Sequence, residues 1–169
     1  MKDLLTRKNI RLKGYDYGGN GAYFLTICTE DRERLLGEVI VGQGLCSCRL
    51  TDIGNLVECE TKKLSERFLN VTIDKYVIMP NHVHIIIFLE QSQNERQEQS
   101  PCPTIGDIMC AYKSITTKLC NRADNITGRR IWQFRYHDHI IRDEEDYLMK
   151  WNYIDTNPAR WAEDKYYSQ

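Results

Sequence analysis

Two histidines, His82 and His84, stand near the head of the apolar run Tyr76-Val-Ile-Met-Pro-Asn-His-Val-His-Ile-Ile-Ile-Phe-Leu89. Side chains two apart on a strand project to the same face, about 6 to 7 Å from one another, so one divalent ion could meet a nitrogen of each. The motif is short, and a second copy, His137-Asp138-His139, occurs in the same chain. Either pair could be ordinary imidazoles on the wet face of an antiparallel strand. The setting of the first pair favours a site. His82, His84, Ile86 and Phe88 share one face and Val83, Ile85, Ile87 and Leu89 the other, so both faces are apolar except at the histidine end. That pattern predicts a central strand covered on both sides, where a buried imidazole needs a partner.

A phenol and an amide form the second candidate pair. Asp143 to Asn157 reads as a helix, with acidic residues crowding the first turn, where the dipole favours them, and Pro158 limiting the end. Tyr147, Trp151 and Ile154 are expected to form its apolar ridge. Tyr153 lies about 200° round from Trp151, pointing away from that ridge, with Asn157 one turn beyond on the same side. The plainer reading is a half-buried tyrosine and an asparagine that ends a helix ahead of proline.

The elements that would position these groups follow from periodicity. Tyr23 to Thr29 is a β-branched and aromatic strand after the turn Gly18-Gly-Asn-Gly21, and Leu36–Val41 with Leu45–Leu50 form a hairpin about Gly42-Gln-Gly44. Thr51 caps a helix running to about Arg67 and ended by Asn70, with Ile53, Leu56, Val57, Glu60 and Leu64 near helical period. Val71–Met79 and His82–Leu89 are strands joined at Pro80-Asn81, a turning dipeptide. Residues 91–103 carry no aliphatic side chain and read as a surface loop. Thr104 to about Arg122 is a helix with Ile105, Ile108, Met109, Tyr112, Ile115 and Leu119 inward, and Ile131 to Arg142 is a strand or extended segment. The order predicts an α+β, ferredoxin-like sandwich with helices on an antiparallel sheet, a single domain over residues 1–169. Fold alone settles no function.

Composition narrows the classes. The 169 residues suffice for one core without crosslinks. The seven cysteines are odd in number, and none forms Cys-x-x-Cys, so neither a disulfide framework nor a zinc knuckle is supported. Reduced thiols, no secretory signal and no apolar stretch of membrane length point to a cytoplasmic protein without a membrane partner. Net charge is −1, yet residues 104–142 hold seven basic and three acidic side chains, a local +4, while residues 143–169 hold three basic and seven acidic. The basic segment could present a phosphate-binding surface.

Five ordered motifs carry a resemblance. Val77-Ile-Met-Pro-Asn-His-Val-His84, Ala111-Tyr-Lys-Ser114, Ile131-Trp-Gln133, Asp138-His-Ile-Ile-Arg-Asp143, and Tyr147 with Tyr153-Ile-x-x-Asn-Pro158 together resemble the REP-associated tyrosine transposases, relatives of the single-tyrosine HUH transposases, across residues 20–160. The resemblance implies His82 and His84 as metal ligands, Tyr153 as nucleophile and Asn157 as third ligand. It implies Mg²⁺ or Mn²⁺ as cofactor and single-stranded DNA beside hairpins, imperfect palindromes of the repetitive extragenic type, as substrate. His139 matches a position of the form acidic-His-x-x-Arg, whereas His137 stands where relatives often carry an aromatic, so this pair is assigned to support or DNA contact. Lys113, Trp132, Gln133 and Arg142 match positions for binding or packing. With Arg129, Arg130, Arg135 and His139, the first, second and fourth of these complete the candidate DNA-binding set. A monomer is expected, with a helix-exchanged dimer as the alternative.

The chemistry is coherent in its own right. Two neutral imidazoles and an amide oxygen leave an ion with open positions to polarise a scissile phosphate. A tyrosine hydroxyl attacking phosphorus would store the phosphodiester as a phosphotyrosine, allowing rejoining without ATP. A phenol with pKa near 10 needs help to deprotonate, and no base stands out. Two rival readings remain: a non-catalytic single-strand-binding module, and a metallohydrolase using His82, His84 and His139 with activated water. Tyr112 is the next candidate should Tyr153 not be the nucleophile.

Overall fold

The computed structural model describes residues 21–42, 45–90 and 103–167. Its main sheet has four strands, β1 (Gly21–Cys28), β4 (Val71–Met79), β5 (His82–Leu89) and β6 (His137–Ile141), ordered β4-β5-β1-β6. Every neighbouring pair is antiparallel. Strands β2 (Gly37–Gly42) and β3 (Leu45–Leu50) form a separate hairpin. Helix α1 (Asp52–Lys62) is followed by the short α2 (Leu64–Arg67), and α3 (Ile105–Ala123) and α4 (Glu144–Thr156) complete the α+β sandwich that the element order predicts.

The two apolar faces of β5 receive different covers. Val83, Ile85, Ile87 and Leu89 pack with Tyr23, Leu25 and Ile27 of β1 against the inward residues of α1 and α3. On the other face Ile86 and Phe88 join Phe24 under Ile154, Tyr147 and Tyr153 of α4. Helix starts follow capping chemistry: Thr51 accepts from the Gly54 amide, and Thr104 with Asp107 makes a reciprocal capping box. Gly54 is needed for close approach, because a Cβ there would sit 1.9 Å from the Leu36 carbonyl oxygen.

Three expectations change. The helix expected to reach Arg67 is interrupted at Lys63, where buried Glu60 draws Lys63 Nζ to 2.9 Å and an Arg67 nitrogen to 2.8 Å. Of segment 131–142, expected to be a strand or extended, His137–Ile141 forms the strand, while Trp132 makes an isolated bridge to Thr29 just beyond β1. Lys113 Nζ donates to the carbonyls of Gln133, at 2.5 Å, and Phe134, at 2.8 Å, withdrawing both from a ladder. Trp151 is not part of a buried ridge. It is 38% exposed, with Lys75 Nζ 3.1 Å above its ring centroid, and the helix face that packs on the sheet is turned toward Tyr153. The expected 91–103 loop lies, except for Pro103, outside the described residues.

Candidate active site

The alternation of β5 brings both imidazoles to the face covered by α4, and both are wholly buried. Their ring centroids are 4.4 Å apart. Each ring is held by its Nδ1. His84 Nδ1 lies 2.8 Å from Thr26 Oγ1 on the neighbouring β1, and His82 Nδ1 lies 2.9 Å from Asn81 Oδ1. The second contact fixes a tautomer. Asn81 Nδ2 donates to the carbonyls of Arg32 and Tyr166, at 3.3 and 2.8 Å, which sets the amide's orientation and leaves Oδ1 facing the ring. That oxygen only accepts, so His82 carries its proton on Nδ1 and presents a bare lone pair on Nε2.

Burial pushes both imidazoles toward the neutral form. His82 is lowered to about 4 by desolvation, against the opposing charge of Asp164, and His84 is held well below its ordinary value by desolvation and then by His82. Neutral rings with oriented Nδ1 atoms are what a metal requires of histidine.

Helix α4 brings Tyr153 to the same place. Its ring is 5.1 Å from the His84 ring, edge to face, and 5.9 Å from Phe24. The hydroxyl donates to Asp164 Oδ2 at 3.0 Å, and Asn157 Nδ2 donates to the same oxygen at 2.5 Å. Asp164 Oδ1 accepts from the Tyr166 amide at 2.7 Å. Burial raises the half-buried Tyr153 phenol above its ordinary range, and the charge of Asp164 and its hydrogen bond raise it further.

The donor set fits a divalent ion. One ligand atom each from His82, His84 and Asp164 lies within 4.8 Å of the others. His82 Nε2, His84 Nε2 and Asn157 Oδ1 are buried without a hydrogen-bond partner, which is unusual for polar atoms not reserved for a ligand. Two imidazoles with oxygen donors suit Mg²⁺ less than Mn²⁺, though both tolerate the mixture.

No family model matches the chain. An uncharacterized protein of Haemophilus influenzae is 38% identical over 173 residues, covering 95% of this chain and 93% of that protein. A second Haemophilus influenzae protein, 24% identical over 149 residues, 86% of this chain and 74% of its own, carries the provisional name REP-associated tyrosine transposase. Among solved structures, a REP-associated tyrosine transposase bound to a REP hairpin matches with a TM-score of 0.57 and 21% identity, covering 92% of this chain and 75% of that one. The chain has the fold of that solved transposase.

Within this transposase fold, the residues singled out in the sequence divide into two groups. His82, His84, Tyr153 and Asn157 meet in one cluster, as described above. Lys113, Arg129, Arg130, Trp132 and Arg135 line a cavity between α3 and residues 128–136. Trp132 is 4% exposed, and its Nε1 donates to Thr116 Oγ1 at 2.8 Å, so it packs. His139 ties β6 to α4 through Asp146 at 2.7 Å, and exposed Arg142 follows it on the connection to α4. His137 and His139 belong to no metal-ligating cluster among the described residues, which leaves the metallohydrolase reading without its third histidine. Tyr112 is buried on the opposite face of the sheet and bonded to Thr61 at 2.8 Å, a core residue. The sequence does not single out Asp164, Asn81 or Thr26: Asp164 sits in an acidic tail, Asn81 in a turn dipeptide and Thr26 in an ordinary strand, and only the cross-strand register, which sets Thr26 opposite His84, marks the last.

Proposed function

We propose that the chain cleaves and rejoins single-stranded DNA beside a hairpin, with Tyr153 as nucleophile and His82, His84, Asn157 and Asp164 as the metal-holding residues. The observation that carries this reading is the Tyr153 ring packed edge to face on His84, its hydroxyl on Asp164, the carboxylate that clusters with two neutral imidazoles whose Nδ1 atoms are engaged and whose Nε2 atoms are unpartnered. Hairpin DNA is supported by the solved relative, which is bound to a REP hairpin. When bound, Mg²⁺ or Mn²⁺ supplies a Lewis acid that polarises the scissile phosphate.

The chain's own groups account for the remaining steps. The raised phenol is protonated at rest, so its proton must leave as the oxygen attacks, and Asp164 Oδ2 at 3.0 Å is the acceptor in place. Tyr153 Oη bonds to phosphorus, the bond from phosphorus to the 3′ oxygen breaks, and the leaving oxygen takes up a proton as a free 3′-hydroxyl. The phosphodiester is conserved as a 5′-phosphotyrosine, ready for a returning 3′-hydroxyl. Asn157 positions the carboxylate through its Nδ2 while offering Oδ1 to the metal. Tyr153 meets His84 of its own chain, which supports the monomer as the working form. Among the described residues no helix is long and apolar enough to cross a membrane.

The test is a labelled single-stranded hairpin incubated with Mn²⁺ and resolved on a denaturing gel. A protein-linked fragment is expected from the wild type and none from Tyr153→Phe, which still binds the hairpin. Cleavage without an adduct would establish a hydrolase instead, and hairpin binding without cleavage a binding module.

A further inference from the structure

On the face of the sheet away from the imidazoles, a cavity of about 860 Å³ opens between α3 and residues 128–136. Its floor is apolar, with Met109, Ile131 and Trp132, while Lys113, Lys118, Arg129, Arg130 and Arg135 stand around it against the one carboxylate of Asp138. Some of this charge is committed. Arg129 pairs with Asp124 at 2.7 Å, and Lys113 is held by the Gln133 and Phe134 carbonyls. Arg130 reaches Glu30 only at 3.7 Å, and Lys118 and Arg135 make no ion pair among the described residues.

Phe134 completes the cavity wall although its side chain is 90% exposed. A phenyl ring left in water beside an apolar floor and free cations is a stacking surface with phosphate-neutralising charge around it. The backbone holds it there, because Lys113 clamps the carbonyl of Phe134 itself. The next residues lead into β6, whose first residue, His137, pairs with Thr26, the residue that holds His84. Cavity and imidazoles therefore lie on opposite faces of the sheet, with the short edge strand β6 on the path between them.

Resting on the DNA-strand reading above, we propose that this cavity takes an unpaired base from the single-stranded flank of the hairpin. The base stacks on Phe134, and Lys118, Arg130 and Arg135 meet the phosphates on either side. The flanking strand turns round the β6 edge, so that base capture in the cavity sets which phosphate reaches Tyr153. The cavity is then a register and specificity site, separate from the chemistry.

The experiment places 2-aminopurine in turn at each position of the flank and follows its fluorescence on binding the full chain. Quenching at one position is expected, with loss of that quenching in Phe134→Ala, whose exposure makes the substitution safe for folding. Phe134→Ala and Lys118→Gln should each weaken the flanked hairpin by about tenfold, more than they weaken a flankless one. They should also scatter the position of any cleavage. Uniform fluorescence along the flank, equal losses with and without the flank, or RNA of the same sequence binding more tightly would overturn the proposal. The two readings fail separately. Quenching without a tyrosine adduct leaves the cavity and removes the chemistry, whereas an adduct with no position-specific quenching does the reverse.

Discussion

Buried neutral histidines make the metal-free protein acid-sensitive in a window that carboxylates do not share. His82 is lowered from 6.5 to about 4 in the folded chain. In the unfolded chain it titrates at its ordinary value, so between these limits the unfolded state binds more protons and stability must rise with pH. The contribution is fully present above about 6.5 and is lost as pH falls toward 4. From the linkage relation, His82 alone removes about 2 kcal/mol at pH 5 and about 3 kcal/mol at pH 4. His84, shifted in the same direction, adds to the loss.

Urea unfolding of the wild type with EDTA, at half-unit steps from pH 7 to 4, reads this directly. Glu60, Asp107 and Asp146 have folded pKa values below their ordinary ones. Burial opposes that shift for Glu60 and Asp146, but hydrogen bonds from Arg67 and Lys63 to the first and from His139 to the second outweigh it, while Thr104 hydrogen bonds lower Asp107. Their stabilisation is present above the unfolded carboxyl range and lost only below about 4.5, so the interval from 6.5 to 4.5 reports on the histidines. The double variant His82→Gln/His84→Gln should remove most of the slope in that interval, leaving the smaller part from His137, which burial also lowers. Equal stability of the wild type at pH 7 and 5, or the same slope in the double variant, would refute the buried-neutral assignment and with it the tautomer argument through Asn81.

Thr26→Val keeps the shape of a buried side chain and removes the oxygen 2.8 Å from His84 Nδ1. Calorimetric Mn²⁺ affinity should fall about 10- to 100-fold, with a stability loss of about 1 kcal/mol, and unchanged Mn²⁺ binding would remove Thr26 from the site. Gly54→Ala should cost about 3 kcal/mol in urea unfolding, since its Cβ would meet the Leu36 carbonyl oxygen at 1.9 Å. The gain of about 1 kcal/mol that an exposed helix interior gives for this change would show instead that α1 is not seated there.

Much of this arrangement is legible in the chain because it depends on period. The alternation along 82–89 gives both the apolar faces and the common direction of the imidazoles, and β5 has the bounds that alternation implies. Thr51 and Thr104 mark helix starts through local hydrogen bonds. What is not legible depends on where remote segments land. Asp164 lies 80 residues beyond His84, and no periodicity links it to the imidazoles. The face of α4 is similarly obscure. Its apolar residues suggest a ridge through Trp151, but Lys75 and Asp155, 2.6 Å apart, occupy that flank and leave the Trp151 ring under an ammonium.

The parts of the site differ in how firmly they are held, and that difference bears on how DNA could enter. The imidazoles sit in a central strand with neighbours on both sides, yet neither ring is exposed, and Trp161 and Tyr166 lie at 5.9 and 4.8 Å from His82. A phosphate can reach their Nε2 atoms only if something moves, and the sheet is the costliest part to move. Helix α4 has one buried residue, Ile154. Its remaining contacts are the half-buried rings of Tyr147 and Tyr153 on Phe88, Phe24 and His84, and the polar pairs His139 to Asp146, Tyr147 to Asp74, Lys75 to Asp155 and Tyr153 to Asp164. Partly exposed ion pairs contribute about 0 to 1 kcal/mol each, and with a single fully buried side chain α4 and the turn carrying Asp164 fall toward the low-stability end of the fold. His82 and His84 are thus fixed while Tyr153 and Asp164 ride on the parts that open at least cost, which under the proposed function is an arrangement suited to admitting a strand and later releasing it.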